Sequence, residues 1–161
     1  MKMNSTGEYL QEEGSVYAED IKTGEKIIYY ASENQRITIR SVFEEDAYKI
    51  ARLQKMNNRE KNWLIKEFAK KESIEKFFLI EDLENFEKDG TRRILGTLNL
   101  LKKNKGEACI YVKYNVDPRL AEILRSRVAI ALDDFCYALG REIVISLSLI
   151  HISEPTRLDV I

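Results

Sequence analysis

The sequence predicts an α+β fold, a mixed sheet with flanking helices, on three observations. Residues 36–41 (RITIRS) and 107–116 (EACIYVKYNV) alternate apolar and polar side chains, the period of a half-buried strand. Residues 117–139 instead place Leu120, Ile123, Leu124, Val128, Ala131, Leu132, Phe135 and Leu139 at helical spacing. The order of segments is strand, helix, helix, three-strand meander, helix, strand, so the final crossover is a β-α-β unit with parallel strands and a right-handed connection.

Taken from the start, residues 1–15 (MKMNSTGEYLQEEGS) are polar and acidic and predict no regular structure. VYAED and KIIYYA then flank IKTG, a hairpin turn in which Gly24 takes a positive φ. ENQ (33–35) breaks the pattern and separates this start, 1–35, from a main domain over 36–146. In RITIRS, Ile37 and Ile39 alternate with Thr38 and Arg40, and Ser41 and Glu44 follow at capping-box spacing. EDAYKIARLQKM sets Ala47, Ile50, Ala51 and Gln54 on one helical face. After Asn57-Asn58, the helix REKNWLIKEFAKKE turns Leu64, Ile65, Phe68 and Ala69 inward, with Trp63 over an edge.

The meander is KFFLIEDL (76–83), the turn dipeptide Asp89-Gly90, RILGTLNLLKK (93–103), the turn NKG (104–106), and 107–116. In the last strand Ala108, Ile110, Val112, Tyr114 and Val116 share one face, and Cys109, Tyr111, Lys113 and Asn115 the other. Asp117 reads as an N-cap, Pro118 as the first helical residue and Gly140 as the residue just past the helix end. REIVIS (141–146) reads as the closing strand, parallel to 107–116.

Composition narrows the function. The chain has 161 residues, 44% apolar and 33% charged, with a formal net charge of −1. No apolar run approaches the ~20 residues of a membrane span, and the polar N-terminus lacks a signal-peptide core. Cys109 and Cys136 match no metal or redox spacing and read as reduced, half-buried core thiols, with a cytoplasmic location. KKNK (102–105) and TRR (91–93) are solvated loops, and no basic stripe marks a nucleic-acid binder.

The order of elements, together with ITIRSVFEEDAYKIARL, GTLNL and YVKYNVDPRL, resembles the GNAT superfamily of N-acetyltransferases over residues 36–146. The first stretch is similar to its opening strand and helix, with the pattern IR…eDa…ia.l. The second is similar to its third strand, and the last to its fourth strand running into the acetyl-CoA loop. The resemblance implies a GNAT-like fold, acetyl-CoA as acyl donor and an amine as acceptor. It implies a strand that splays from its neighbour and offers backbone to the pantetheine arm. A turn opening a helix would then hold the pyrophosphate. The donor-binding residues so implied are Tyr114, Asn115, Val116, Arg119, Arg125 and Ser126. The family's glycine-rich turn is degenerate here. Aligned on VDP, Ala121 takes the basic or amide position, and Glu122, Leu124 and Ser126 fall on the small ones. Leu124 is expected to block the backbone's approach to phosphate. Arg119, Arg125 and Arg127 are alternative phosphate contacts. For catalysis, Glu81 and Asp82 at a strand end are candidate bases and Tyr114 a candidate acid.

Residues 147–157 (LSLIHISEPTR) resemble the in-frame translation of a transposon-based sequencing-library adapter. Leu158 and Ile161 fit the adapter's continuation. Residues 147–161 are therefore expected to be a processing scar, with His151, the only histidine, no part of a site. Setting aside Glu154, Arg157 and Asp159 leaves a neutral remainder. The strand at 141–146 is expected to run on to about Ile152. On this reading the chain is a piece of an acyl-CoA:amine N-acyltransferase, inactive in that form. The alternative is a non-enzymatic binding or regulatory domain of the same fold. A third, an unrelated α+β interaction domain, would follow from antiparallel pairing of 107–116 with 141–146. Self-association stays open.

Overall fold

A computed structural model describes residues 2–3, 9–11, 15–70, 76–102, 108–150 and 158–160 of the chain. Among them the strands are β1 (Lys2–Met3), β2 (Tyr9–Gln11), β3 (Tyr17–Asp20), β4 (Lys26–Ser32), β5 (Ile37–Ser41), β6 (Phe77–Phe86), β7 (Arg92–Lys102), β8 (Ala108–Val116) and β9 (Leu158–Val160). The helices are α1 (Asp46–Leu53) and α2 (Asn58–Phe68), between β5 and β6, and α3 (Glu122–Ile150), between β8 and β9. The strands form one mixed sheet in sequence order. Every pairing is antiparallel except β8 with β9.

Alternation along β5 sorts the two faces. Ile37 and Ile39 join Phe78, Ile80, Leu98 and Leu100 under α3, whose Leu124, Val128, Ala131, Leu132, Phe135 and Leu139 close that core. Opposite, Leu79 and Val42 pack with Ala47 and Ile50 of α1 and Leu64 and Phe68 of α2. The sheet is thus a central layer between α1–α2 and α3, a standard way to bury both faces. Met56 and Ile65 half-bury against the α1–α2 core, while Gln54, Trp63 and Ala69 are exposed, contrary to the inward or edge positions expected of them.

The N-terminal strands belong to the same sheet. Gly24 has φ 71° in the β3–β4 hairpin, and β4 pairs with β5 across residues 33–36. Residues expected to lack structure supply β1 and β2, because Tyr9 buries its ring against Tyr29 at 4.9 Å. Ser41 forms no capping box. Its hydroxyl accepts from Ile28 N–H at 2.9 Å and donates to Ile28 C=O at 3.3 Å, extending the β4–β5 ladder by one side chain. At α2 the cap is Asn57, whose side chain accepts from Glu60 N–H at 2.9 Å and donates to Glu60 Oε1 at 2.8 Å.

Two expectations at the C-terminal end fail. Asp117 does not cap α3, and Pro118 does not start it. A turn over 117–120 comes first, closed by Leu120 N–H to Asp117 C=O at 3.2 Å, and it seats buried Leu120 in the core. Nor does α3 stop at Gly140: it continues through 141–146 and 147–150, where the sequence suggested a strand. A short apolar run does not distinguish helix from strand by periodicity. A helix already under way adds one hydrogen bond per residue, and an interior glycine costs only about 1 kcal/mol. The parallel β-α-β crossover does form, but β9 supplies its second strand, pairing Ala108–Ile110 with Leu158–Val160. That strand lies in the segment resembling adapter sequence. His151 and the rest of 151–157 lie outside the described residues.

Candidate functional site

A groove of about 520 Å³ opens where α1, β7 and the β8–α3 turn meet. Ile50, Leu53, Gln54 and Lys55 form one wall, Ile94–Thr97 of β7 the second, and Asn115–Arg119 the third.

Each wall has a local cause. The α1 wall ends in a Schellman turn. Met56 N–H reaches Ala51 C=O at 2.9 Å, and Lys55 N–H reaches Arg52 C=O at 3.3 Å. Lys55 sits at φ 52°, the position usually given to glycine. On β7, a register shift opposite Ile80–Glu81 bulges the strand at Leu95–Gly96. The bulge presses backbone on backbone: a Cβ on Gly96 would lie 2.4 Å from the Asn115 carbonyl oxygen. Only glycine fits that contact. On the third wall, Arg119 wraps Asp117. Its backbone N–H and Nε donate to Oδ1 at 2.9 and 3.1 Å, and its Nη2 to Oδ2 at 3.1 Å. Those bonds hold the Asp117 carboxyl below the usual aspartate range. The Arg119 side chain stays 77% exposed, so this pair organises the turn more than it stabilises the fold.

Beside the groove, β8 has an open edge. β9 covers it only at 108–110, so among the described residues the 111–116 edge has no strand on that side. An extended ligand could use its backbone N–H and C=O groups as an added strand would. The groove adds apolar walls, a lysine and an arginine, features suited to a long ligand with an apolar arm and an anionic end.

Of the residues implied as donor-binding, Asn115, Val116 and Arg119 come together in the groove. Tyr114 is 60% exposed at the end of β8, outside the lining, and Arg125 and Ser126 are exposed on the first turns of α3. Leu124 does not obstruct the helix start as expected, because it is buried in the α3-side core. Glu122 stands exposed at the first helical position, its charge set against any anion there.

Glu81, expected at a strand end as a candidate base, lies within β6. It is buried under α1, accepting from Arg40 Nε at 2.9 Å. Arg40 also grips Asp46 with Nη1 and Nη2 at 2.9 and 3.0 Å, and Asp46 accepts from Phe43 N–H at 2.7 Å. Burial pushes the Glu81 carboxyl up while Arg40 pulls it down. Asp82, also buried, accepts from Glu84 N–H at 2.9 Å and Asn85 Nδ2 at 2.8 Å. Both acids are committed to structure. The Arg40–Asp46 pair was readable in advance: Arg40 alternates with Ile37 and Ile39 onto the face that α1 covers, where a guanidinium needs a carboxylate.

No protein-family model, no curated protein and no solved structure matches the chain. No helix among the described residues is long and apolar enough to cross a membrane.

Proposed function

We propose that the chain is a GNAT-like domain that takes acyl-CoA as donor and an amine as acceptor. The observation that carries this reading is the half-open edge of β8 running into the Asp117–Arg119 turn. β8 pairs with a parallel strand at one end and, among the described residues, has no strand there over 111–116. The pantetheine arm would lie along that edge, its amides pairing with strand backbone. Arg119 would meet the phosphates once its guanidinium leaves Asp117. In the transfer, the amine nitrogen attacks the thioester carbonyl and the C–S bond breaks. The thiolate takes up a proton and the amine nitrogen gives one up. With Glu81 ion-paired, that proton leaves through water or the acceptor's own surroundings.

A second reading, donor binding without transfer, is favoured by Ala121 and Glu122 at the start of α3, where the resemblance calls for a basic or amide residue and a glycine. Calorimetric titration with acetyl-CoA tests the common ground. One-to-one binding is expected, weakened about tenfold (~1.4 kcal/mol) by Arg119→Ala. No heat up to about 5 mM ligand would end both readings. Release of CoA thiol on adding a mixture of amines separates them: thiol above the acetyl-CoA blank supports transfer, and binding without it supports the second reading.

A further inference from the structure

The outer face of α3 carries an apolar stripe that the fold leaves uncovered. Ile123 is 73% exposed, Ile130 46% and Tyr137 70%, at steps of seven residues. In a helix this spacing aligns them on one side, opposite the buried Leu124, Val128, Phe135 and Leu139, over about 20 Å. Isolated exposed apolar residues are ordinary; a row of three on one face of one helix is a contact surface.

The charges around the stripe select its occupant. Arg127 lies beside the row toward its N-terminal end and Asp134, one heptad later, on the same side. The Arg127 Nε is buried and has no hydrogen-bond partner, and Asp134 is exposed. We propose that α3 pairs with α3 of a second copy of this chain, antiparallel, about a two-fold axis at Ile130. In that arrangement Ile130 meets its own copy and Ile123 meets Tyr137. Arg127 comes within one residue's rise, about 1.5 Å, of the level of Asp134 of the other copy and on the same flank of the seam, and the two-fold makes that pair twice. Asp133 falls beside Ser126, not beside another acid. In a parallel pairing the flanks carrying Arg127 and Asp134 lie on opposite sides of the seam in the two copies, so the Arg127–Asp134 pair forms only in the antiparallel arrangement. An isologous contact of this kind closes on itself as a dimer. One helix face buries less than the roughly 800 Å² per partner of a standard interface, so a micromolar or weaker dimer is expected.

Sedimentation equilibrium of the full chain up to about 0.5 mM is the test. A monomer–dimer equilibrium is expected. Ile130→Glu, which puts two like charges at the axis, should abolish it while circular dichroism and melting stay as in the parent, since Ile130 packs on no core. Arg127→Asp alone and Asp134→Arg alone should each weaken the dimer about tenfold, and the double exchange should restore it. A monomer throughout, or a dimer indifferent to Ile130→Glu, overturns the proposal. Failure of the double exchange to restore affinity overturns the antiparallel register. A dimer that dissociates with Ile130→Glu and recovers in the double exchange establishes it. None of these readouts depends on acyl-CoA.

Discussion

Arg40 shows how one side chain can fix the meeting of a strand and a helix. Its guanidinium makes five contacts of 3.0 Å or less or ring-stacking kind: Glu81, both oxygens of Asp46, the Ser41 carbonyl and the Phe43 ring at 5.2 Å. Removing it leaves two buried carboxylates without their hydrogen-bonded cation, with only the charge of Arg92 still acting on Glu81, and the cost of breaking such a pair is about 3–5 kcal/mol. Arg40→Met should therefore lower the urea midpoint sharply at neutral pH. The sign with pH follows from Glu81. Its folded carboxyl holds a proton to higher pH than the unfolded one, so its contribution is full below the ordinary glutamate range and is lost as pH rises through the folded value. Without Arg40 that loss deepens, and the penalty of the variant should be smaller near pH 4 than at pH 8. A penalty independent of pH would count against the ionic account. Cys136 offers a second check at this scale. Half-buried and facing Asp133, its thiol is pushed up from 9.0 to about 11. Thiolate is the reactive form, so at pH 8 only about one part in a thousand is available. Alkylation of Cys136, followed by peptide mapping, should be far slower than for a small thiol and rise steeply towards pH 11. Stability should fall over the same interval, because the unfolded thiol ionises first.

The elements around the groove are set by their ends. α1 stops in a left-handed residue that is a lysine, and a non-glycine residue there costs about 1 kcal/mol. Lys55→Gly should raise stability by about that amount in a denaturant titration, less the added freedom of the unfolded chain. Should acetyl-CoA bind, the same variant should weaken binding by removing a cation from the groove wall. Unchanged affinity would place the phosphates elsewhere. Most elements were legible beforehand. The meander strands, the Gly24 and Asp89-Gly90 turns and the buried face of α3, apart from Ile123, which is exposed, follow from alternation, turn chemistry and period, all local properties. Gly90 indeed takes φ 84°. The misjudged places were ends. Asp117 has the chemistry of a cap, but Arg119 two residues on engages its carboxylate, and Leu120 must first reach the core. REIVIS suits strand or helix equally, and continuation from α3 decided it.

At the scale of the whole molecule, one ring ties the layers together. Phe135 is fully buried, 5.3 Å from Phe78 on β6 and 5.9 Å from Tyr30 on β4. It joins α3 both to the central strands and to the N-terminal hairpin. Phe135→Ala should cost about 3–5 kcal/mol and unfold the hairpin and main sheet in one transition. Two separate transitions by fluorescence and circular dichroism would mean that residues 1–35 and the main domain are independent units. The site is a product of this scale too. Asn115, Val116 and Arg119 are among the residues the resemblance implies as donor-binding, and they lie close together in sequence. Their partners in the groove, Leu53–Lys55 and Ile94–Thr97, could not be named from the chain, since a helix end and a bulge are brought to them only by the packing of α1 on the sheet.

The sequence by itself determined the α+β class, the order of elements from the β3–β4 hairpin to the start of α3, the faces of β5 and, Ile123 apart, the buried face of α3. All of these rest on interactions between residues a few positions apart. Only the tertiary structure decided that Glu81 is an ion-paired core acid, that β4 and β5 are one sheet, and that, among the described residues, β8 has no strand beside 111–116. Each of those depends on which distant segment arrives beside it, and burial, not local preference, sets the energy of that choice.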